Sequence, residues 1–194
     1  MKLGWKHAFI GLLAINVLIV AILLAGILSP IKDQPIRQTA PGKENVKFHV
    51  QANKEDLNQL INKYMKKGIN NNLPVDYNVY LRDQVEMYGH VSVFSERIDY
   101  KMTFEPKALK NGNIVLKQKE LKVGKINLPV SYVLKAARDN YSLPDWVQIL
   151  PNDKMIYLSL DKMKLDSGLQ ARAERFDLKK DDIRFTLMLP AKEQ

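Results

Sequence analysis

From Ala8 to Leu28 the chain reads AFIGLLAINVLIVAILLAGIL, without a charge and with Asn16 as its one strongly polar residue. The run leaves no polar face to meet water, and its 21 residues rise through roughly 30 Å as a helix, enough to cross a bilayer. It predicts a transmembrane anchor over 8–28, preceded by a short cytoplasmic tail, 1–7. A cleaved signal peptide has a shorter apolar core and an A-x-A-like site, which Ala25-Gly26-Ile27 does not supply. Lys2 and Lys6 precede the run, so the positive-inside rule places the C-terminal part outside the cell, although Lys32, Arg37 and Lys43 also lie within range.

The pattern then changes. Residues 29–45, SPIKDQPIRQTAPGKEN, combine three prolines and a glycine with polar residues and predict an extended stalk. A folded domain over 46–194 follows. Asn53 is placed to cap a helix with Glu55 and Asp56 in its first turn. Leu57, Leu60, Ile61, Tyr64 and Met65 recur at helical spacing until Gly68 ends it.

Beyond that helix the period becomes two. IDYKMTFE at 98–105 places Ile98, Tyr100, Met102 and Phe104 on one face and charged or hydroxyl residues on the other. Runs at 75–81, 85–94, 155–161 and 183–189 alternate similarly, and Asn111-Gly112 marks a hairpin. The runs at 114–123 and 169–178 change phase midway, which predicts bulges and a curved sheet. The fold class is therefore α+β: an N-terminal transmembrane helix, then a curved, mainly antiparallel sheet of about eight strands with two or three helices.

One stretch switches period within itself. In LKVGKINLPVSYVLKAARDNYSLPDWVQIL, residues 121–150, a strand reaches Pro129, which suits the first turn of a helix carrying Val130, Val133, Leu134 and Ala137 as its apolar stripe. A second helix is expected from Pro144 to Leu150, with Asp145 at its positive end and Trp146, Ile149 and Leu150 on one face. Two helices laid over a curved sheet either close a packed core or leave an apolar groove open to a lipid tail. For the groove, the candidate lining is Leu128, Val130, Val133, Leu134, Trp146, Ile149 and Leu150.

Composition narrows the choices. The chain has 194 residues, too few for two comfortable domains. It has no cysteine, which removes disulfides, thiol nucleophiles, cysteine-ligated metals and lipoprotein anchoring, and fits a bacterial protein. The net charge is +9, of which Lys2 and Lys6 supply two, so +7 remains beyond the anchor. A basic domain outside a membrane meets anionic headgroups or wall polymers, or simply carries a solvated basic surface. No aromatic-basic nucleic-acid motif is present, and nucleic acid is not an expected partner.

Catalytic signatures are missing as well. None of the metalloprotease, nucleophile-elbow, phosphate-loop or dinucleotide motifs occurs. The histidines are His7, His49 and His90. A pairing of His90 with Glu86 or Glu96 can be drawn, but an exposed strand histidine needs no such role. Asp181-Asp182 reads as helix or turn residues rather than a metal pair, and Asn140-Tyr141-Ser142 matches a glycosylation acceptor only where glycosylation occurs. No catalytic residue, metal or cofactor is expected.

The anchor with its proline-containing stalk, LKVGKINLPVSYVLK, LPDWVQILP and MIYLSLDKMKLDSGLQARAERFDLKKDDIRFTLMLP together resemble the YpmS family of uncharacterised, membrane-anchored Gram-positive bacterial proteins, over essentially the whole chain. VGKINLPVSYVL also resembles, in layout alone, the tubular lipid-binding type of extracytoplasmic protein, in which a strand leads through a proline to a helix above an apolar cavity. The expected function is a non-enzymatic, single-pass cell-membrane protein with its domain outside. That domain binds a lipid or other apolar envelope molecule, or else positions another envelope protein. An elongated apolar cavity favours the first; a filled core with an exposed apolar patch favours the second.

Overall fold

A computed structural model describes residues 5–28, 45–64, 76–93, 96–124, 129–140, 143–163, 165 and 168–190. The chain divides into two compact units, Met1–Lys32 and Asp33–Gln194. The first contains helix α1, Trp5–Leu28, whose large apolar side chains between Phe9 and Ile22 are all about half exposed or more. Asn16 donates its side-chain amide to the Leu12 carbonyl at 2.9 Å, so the polar group is satisfied within the helix. Among the described residues no helix is long and apolar enough to cross a membrane. The part of α1 with described side chains, 9–22, rises only about 21 Å.

The second unit is α+β, with nine strands in two antiparallel sheets rather than the single sheet of about eight that alternation predicts. Strands β1 (Asn45–Ala52), β9 (Asp182–Pro190) and β8 (Gln170–Asp177) form a three-stranded sheet in that order. The other runs β2 (Asp76–Leu81), β3 (Val85–Val93), β4 (Glu96–Ala108), β5 (Ile114–Val123), β7 (Met155–Leu158) and β6 (Val147–Leu150).

Both phase changes are bulges. Thr103 pairs with Glu120 but Phe104 with Gln118, leaving Lys119 as the extra residue of β5. Ala173 pairs with Phe185 but Arg175 with Arg184, leaving Glu174 extra in β8. Each bulge returns the following apolar residues to the core face, where a slip of one position would expose them.

Helix α2, Lys54–Tyr64, begins as its sequence predicts: the Asp56 N–H donates to Asn53 Oδ1 at 2.8 Å. Its start is held from elsewhere too, because the Lys54 N–H donates to Asp181 Oδ1 at 2.7 Å. Asp181 lies at φ +52 in the turn before β9, whereas Asp182, expected in a helix or turn, is the first residue of that strand. Asn58 pairs with both backbone groups of Leu81, at 2.7 and 2.9 Å, and so does for the end of β2 what a neighbouring strand would do. Gly68 and Met65 lie outside the described residues.

The Asn111-Gly112 turn joins β4 to β5 and fastens the two sheets. Gly112 has φ +86, and a Cβ there would stand 2.8 Å from the Arg172 side chain. Its carbonyl accepts from the Ala173 N–H at 2.8 Å. Beside it the buried Tyr157 hydroxyl accepts from Asn111 and Asn113 at 2.8 and 2.9 Å, and Asn113 Oδ1 accepts from the Leu160 N–H at 2.9 Å. The polar atoms at this junction thus satisfy one another.

Helix α3, Val130–Asn140, starts at Pro129, whose carbonyl accepts from the Val133 N–H at 3.2 Å. The expected second helix is not formed: Val147–Leu150 is strand β6, paired with β7. Only six residues separate Pro144 from Pro151, fewer than two turns. The β-branched Val147 and Ile149 also gain a full ladder by folding back through the Pro151–Lys154 turn, with Lys154 at φ +52. The main core joins both sheets to α2 and α3 around Phe104, Leu134 and Ile183.

Candidate functional site

The sequence-derived groove residues separate into three groups. Leu134, Ile149 and Leu150 are buried, at 2%, 6% and 3% exposure. Val130 and Val133 are half-buried and pack against the same core, and Trp146 is half-buried next to β6. Leu128 lies outside the described residues. Leu134 and Ile149 are thus brought together, but in packing with Phe104 and Ile156. Two cavities among the described residues, set out below, are lined by other side chains.

Elsewhere on the same sheet face, three residues of one row lie outside the core among the described residues. Pairing across β2, β3, β4 and β5 produces successive rows on the core side. Leu81, Val85 and Phe104 form one, at 5%, 5% and 0% exposure. Val79, Met87, Met102 and Leu121 form the next. Two residues further along stand Tyr77, Gly89 and Tyr100, half-buried and in neither core cluster, and Val123, which is buried at 9% exposure. Alternation keeps this third row on the face of the first two.

A cavity of about 540 Å³ adjoins this row. Most of its lining, Asn78, Tyr88, His90, Arg97 and Asp99, alternates with the row and stands on the opposite face of the sheet, around Gly89, with Tyr77 and Tyr100 beside it. Gly89 is placed in unbroken register between Tyr77 and Tyr100, so no bulge accounts for it. A glycine inside a regular strand weakens the strand, and where it marks no bulge it leaves room for something to approach the backbone. Burial pushes the Tyr77 phenol above its ordinary value.

At the polar side, the Arg97 guanidinium donates to His90 Nδ1 at 2.8 Å, and Asp99 is the cross-strand neighbour of His90. Of the two partners drawn from sequence, the side chain of Glu96 lies outside the described ones. Glu86 instead accepts from the Tyr88 hydroxyl at 2.5 Å and from Lys101 at 3.2 Å, and pairs with Arg82 at 3.3 Å. The Tyr88 bond, opposed by partial burial and aided by Lys101, holds the Glu86 carboxyl below the usual range. The cavity therefore offers aromatic faces, one guanidinium and several hydrogen-bonding groups. A mid-strand glycine in the alternating run VEMYGHV was the available sequence signal for it.

A second cavity, about 600 Å³, lies beside the turn Leu160–Lys162 and includes Asp145, Asp161, Met163 and Leu165. Among the described residues no three histidine or carboxylate side chains converge as a metal site. His49 sits on β1, where Glu174 Oε1 accepts from it at 2.9 Å and from the Thr186 hydroxyl. The Thr186 bond first, and then His49, keeps the Glu174 carboxyl below its ordinary value.

No solved structure matches the chain. The family model described as "Uncharacterized protein conserved in bacteria (DUF2140)" matches residues 4–189. The "Uncharacterized protein YpmS" of Bacillus subtilis (strain 168) is 34% identical over 186 residues, covering 96% of this chain and 97% of that protein. The matched region includes α1, both sheets and the tyrosine-lined cavity, and the chain belongs to the DUF2140 family that these proteins define.

Proposed function

We propose that this chain is a single-pass membrane protein whose outward-facing domain binds an amphipathic lipid-like molecule without catalysing a reaction. Supporting the anchor, α1 extends from Trp5 to Leu28, and the sequence from Ala8 to Leu28 carries no charge. The observation that carries the binding reading is the cavity of about 540 Å³ on the six-stranded sheet, where Tyr88 and Gly89 lie beside Arg97. That volume lies within the range of small-molecule sites, roughly 300–1,000 Å³. The apolar part of the ligand lies along the Tyr88 ring and Gly89, and its polar or anionic head meets Arg97.

The test is native mass spectrometry of the full chain, released from membranes in mild detergent. The wild type is expected to carry an adduct of lipid mass, and Arg97→Glu, which removes the cation that meets the head, to lose it while keeping its melting temperature. A wild type that never carries an adduct, beside a lipid-binding control that does, would overturn the reading. An adduct equally retained by Arg97→Glu would also overturn it.

A second reading, a module that positions another envelope protein, is favoured by the packing of Leu134 and Ile149 into the core and by apolar side chains left exposed on β1. It predicts co-purification of one envelope protein in fixed ratio and no lipid adduct.

A further inference from the structure

Strand β1 is an edge of its sheet, and its residues alternate sharply. Val46, Phe48 and Val50 share one face and are 56%, 51% and 39% exposed. Lys47, His49 and Gln51 occupy the other. On β9, Leu189 lies across from Val46 at 41% exposure, with Leu187 across from Phe48 and Phe185 across from Val50. Ala171 and Ala173 of β8 continue the same face and are buried at 5% and 3%. The face is therefore apolar throughout, covered at the β8 side and bare at the β1 side. These paired positions carry no charge.

We infer that the bare side of this face docks on the bilayer surface. Two observations choose that occupant. The strand bearing the stripe begins at Asn45, where the chain arrives from α1 after only residues 29–44, so the anchor delivers this strand first. The chain also carries +7 beyond its apolar N-terminal run, which draws it toward anionic headgroups and leaves the uncharged stripe to enter the headgroup and acyl boundary. Docking rests on the anchor reading above for its starting point and is independent of the ligand cavity. It also gives the exposed β1 residues a role that requires no protein partner.

The lack of cysteine makes the test direct. Single-cysteine variants Phe48→Cys, Val50→Cys, Lys47→Cys and His49→Cys of the full chain are labelled with an environment-sensitive NBD fluorophore. Each is reconstituted in phosphatidylglycerol–phosphatidylcholine vesicles containing doxyl-labelled lipid, and Leu18→Cys reports the anchor. Labels at 48 and 50 are expected to shift to the blue and to be quenched severalfold more than those at 47 and 49, reproducing the strand's alternation. Equal quenching at all four positions, or none at 48 and 50, would overturn docking. A label at 48 that is shielded but not quenched would overturn it in favour of a second copy or a protein partner. An unquenched label at Leu18 would overturn the anchor alone, so the two failures are read from different positions. Since both 48 and 50 are tested, misfolding of one variant leaves the other to decide.

Discussion

The two ends of one sheet face in this protein obey the same alternation and meet different fates. At one end Leu81, Val85 and Phe104 are sealed under α2, α3 and β9; four residues along the same strands, Tyr77, Gly89 and Tyr100 stand outside the core. The residues differ in kind as well as in burial. The closed end uses aliphatic and Phe side chains with no polar atoms, whereas the open end uses tyrosines, whose hydroxyl tolerates water while the ring remains apolar. An apolar face is therefore not equivalent to a core. It becomes one only where other elements reach it.

The sharpest way to break this comparison is truncation at both ends of β4. Phe104→Ala, at a position with 0% exposure, is expected to cost roughly 3–5 kcal/mol in denaturant unfolding. Tyr100→Ala is expected to cost distinctly less. Equal losses would mean that the third row is packed as tightly as the first.

Next in size is the junction that keeps the closed end closed. Tyr157→Phe leaves the side-chain amides of Asn111 and Asn113 without their shared acceptor, and is expected to cost about 1–3 kcal/mol by the same measurement. A negligible change would show that solvent or another group takes over the acceptor role.

Gly89→Val sharpens the comparison from the open side. Valine suits a strand better than glycine, and the third row lies outside both core clusters, so unfolding is expected to change by no more than about 1 kcal/mol. A large destabilisation would instead make Gly89 a packing requirement, like Gly112.

The smallest effect concerns acid. Because the folded-state Glu86 carboxyl is held below 4.5 chiefly by Tyr88, its contribution to stability is present above that value and is lost as pH falls through the lowered folded value. Thermal melts of the wild type and Glu86→Gln are expected to differ at neutral pH and to converge below pH 4.5. A difference that persists in acid would assign the effect to shape rather than charge.

Several local features were legible because they depend on near neighbours. Asn53 caps α2, Asn111-Gly112 turns the hairpin, Pro129 opens α3, and the two phase changes fall at Lys119 and Glu174. The stretch 144–150 was misread because Trp146, Ile149 and Leu150 fit a helical stripe as well as a short strand, and only the partner β7 decides between them. The open cavity was missed for a related reason. Tyr77, Gly89 and Tyr100 come from three strands, and nothing in any one strand records that the row they form lies beyond the reach of α2 and α3.

By itself, then, the sequence determined most of the elements, with 144–150 the exception, the positions of the bulges and the apolar character of the first helix. All of these follow from interactions a few residues apart and from each side chain's preference for or against water. Tertiary structure alone decided that β1 pairs with β9 across almost the whole domain, that the strands divide into two sheets fastened at Gly112, and that one end of a uniform face is filled while the other stays open. Those outcomes depend on which distant surfaces meet, and a local hydrophobic period is the same whatever comes to cover it.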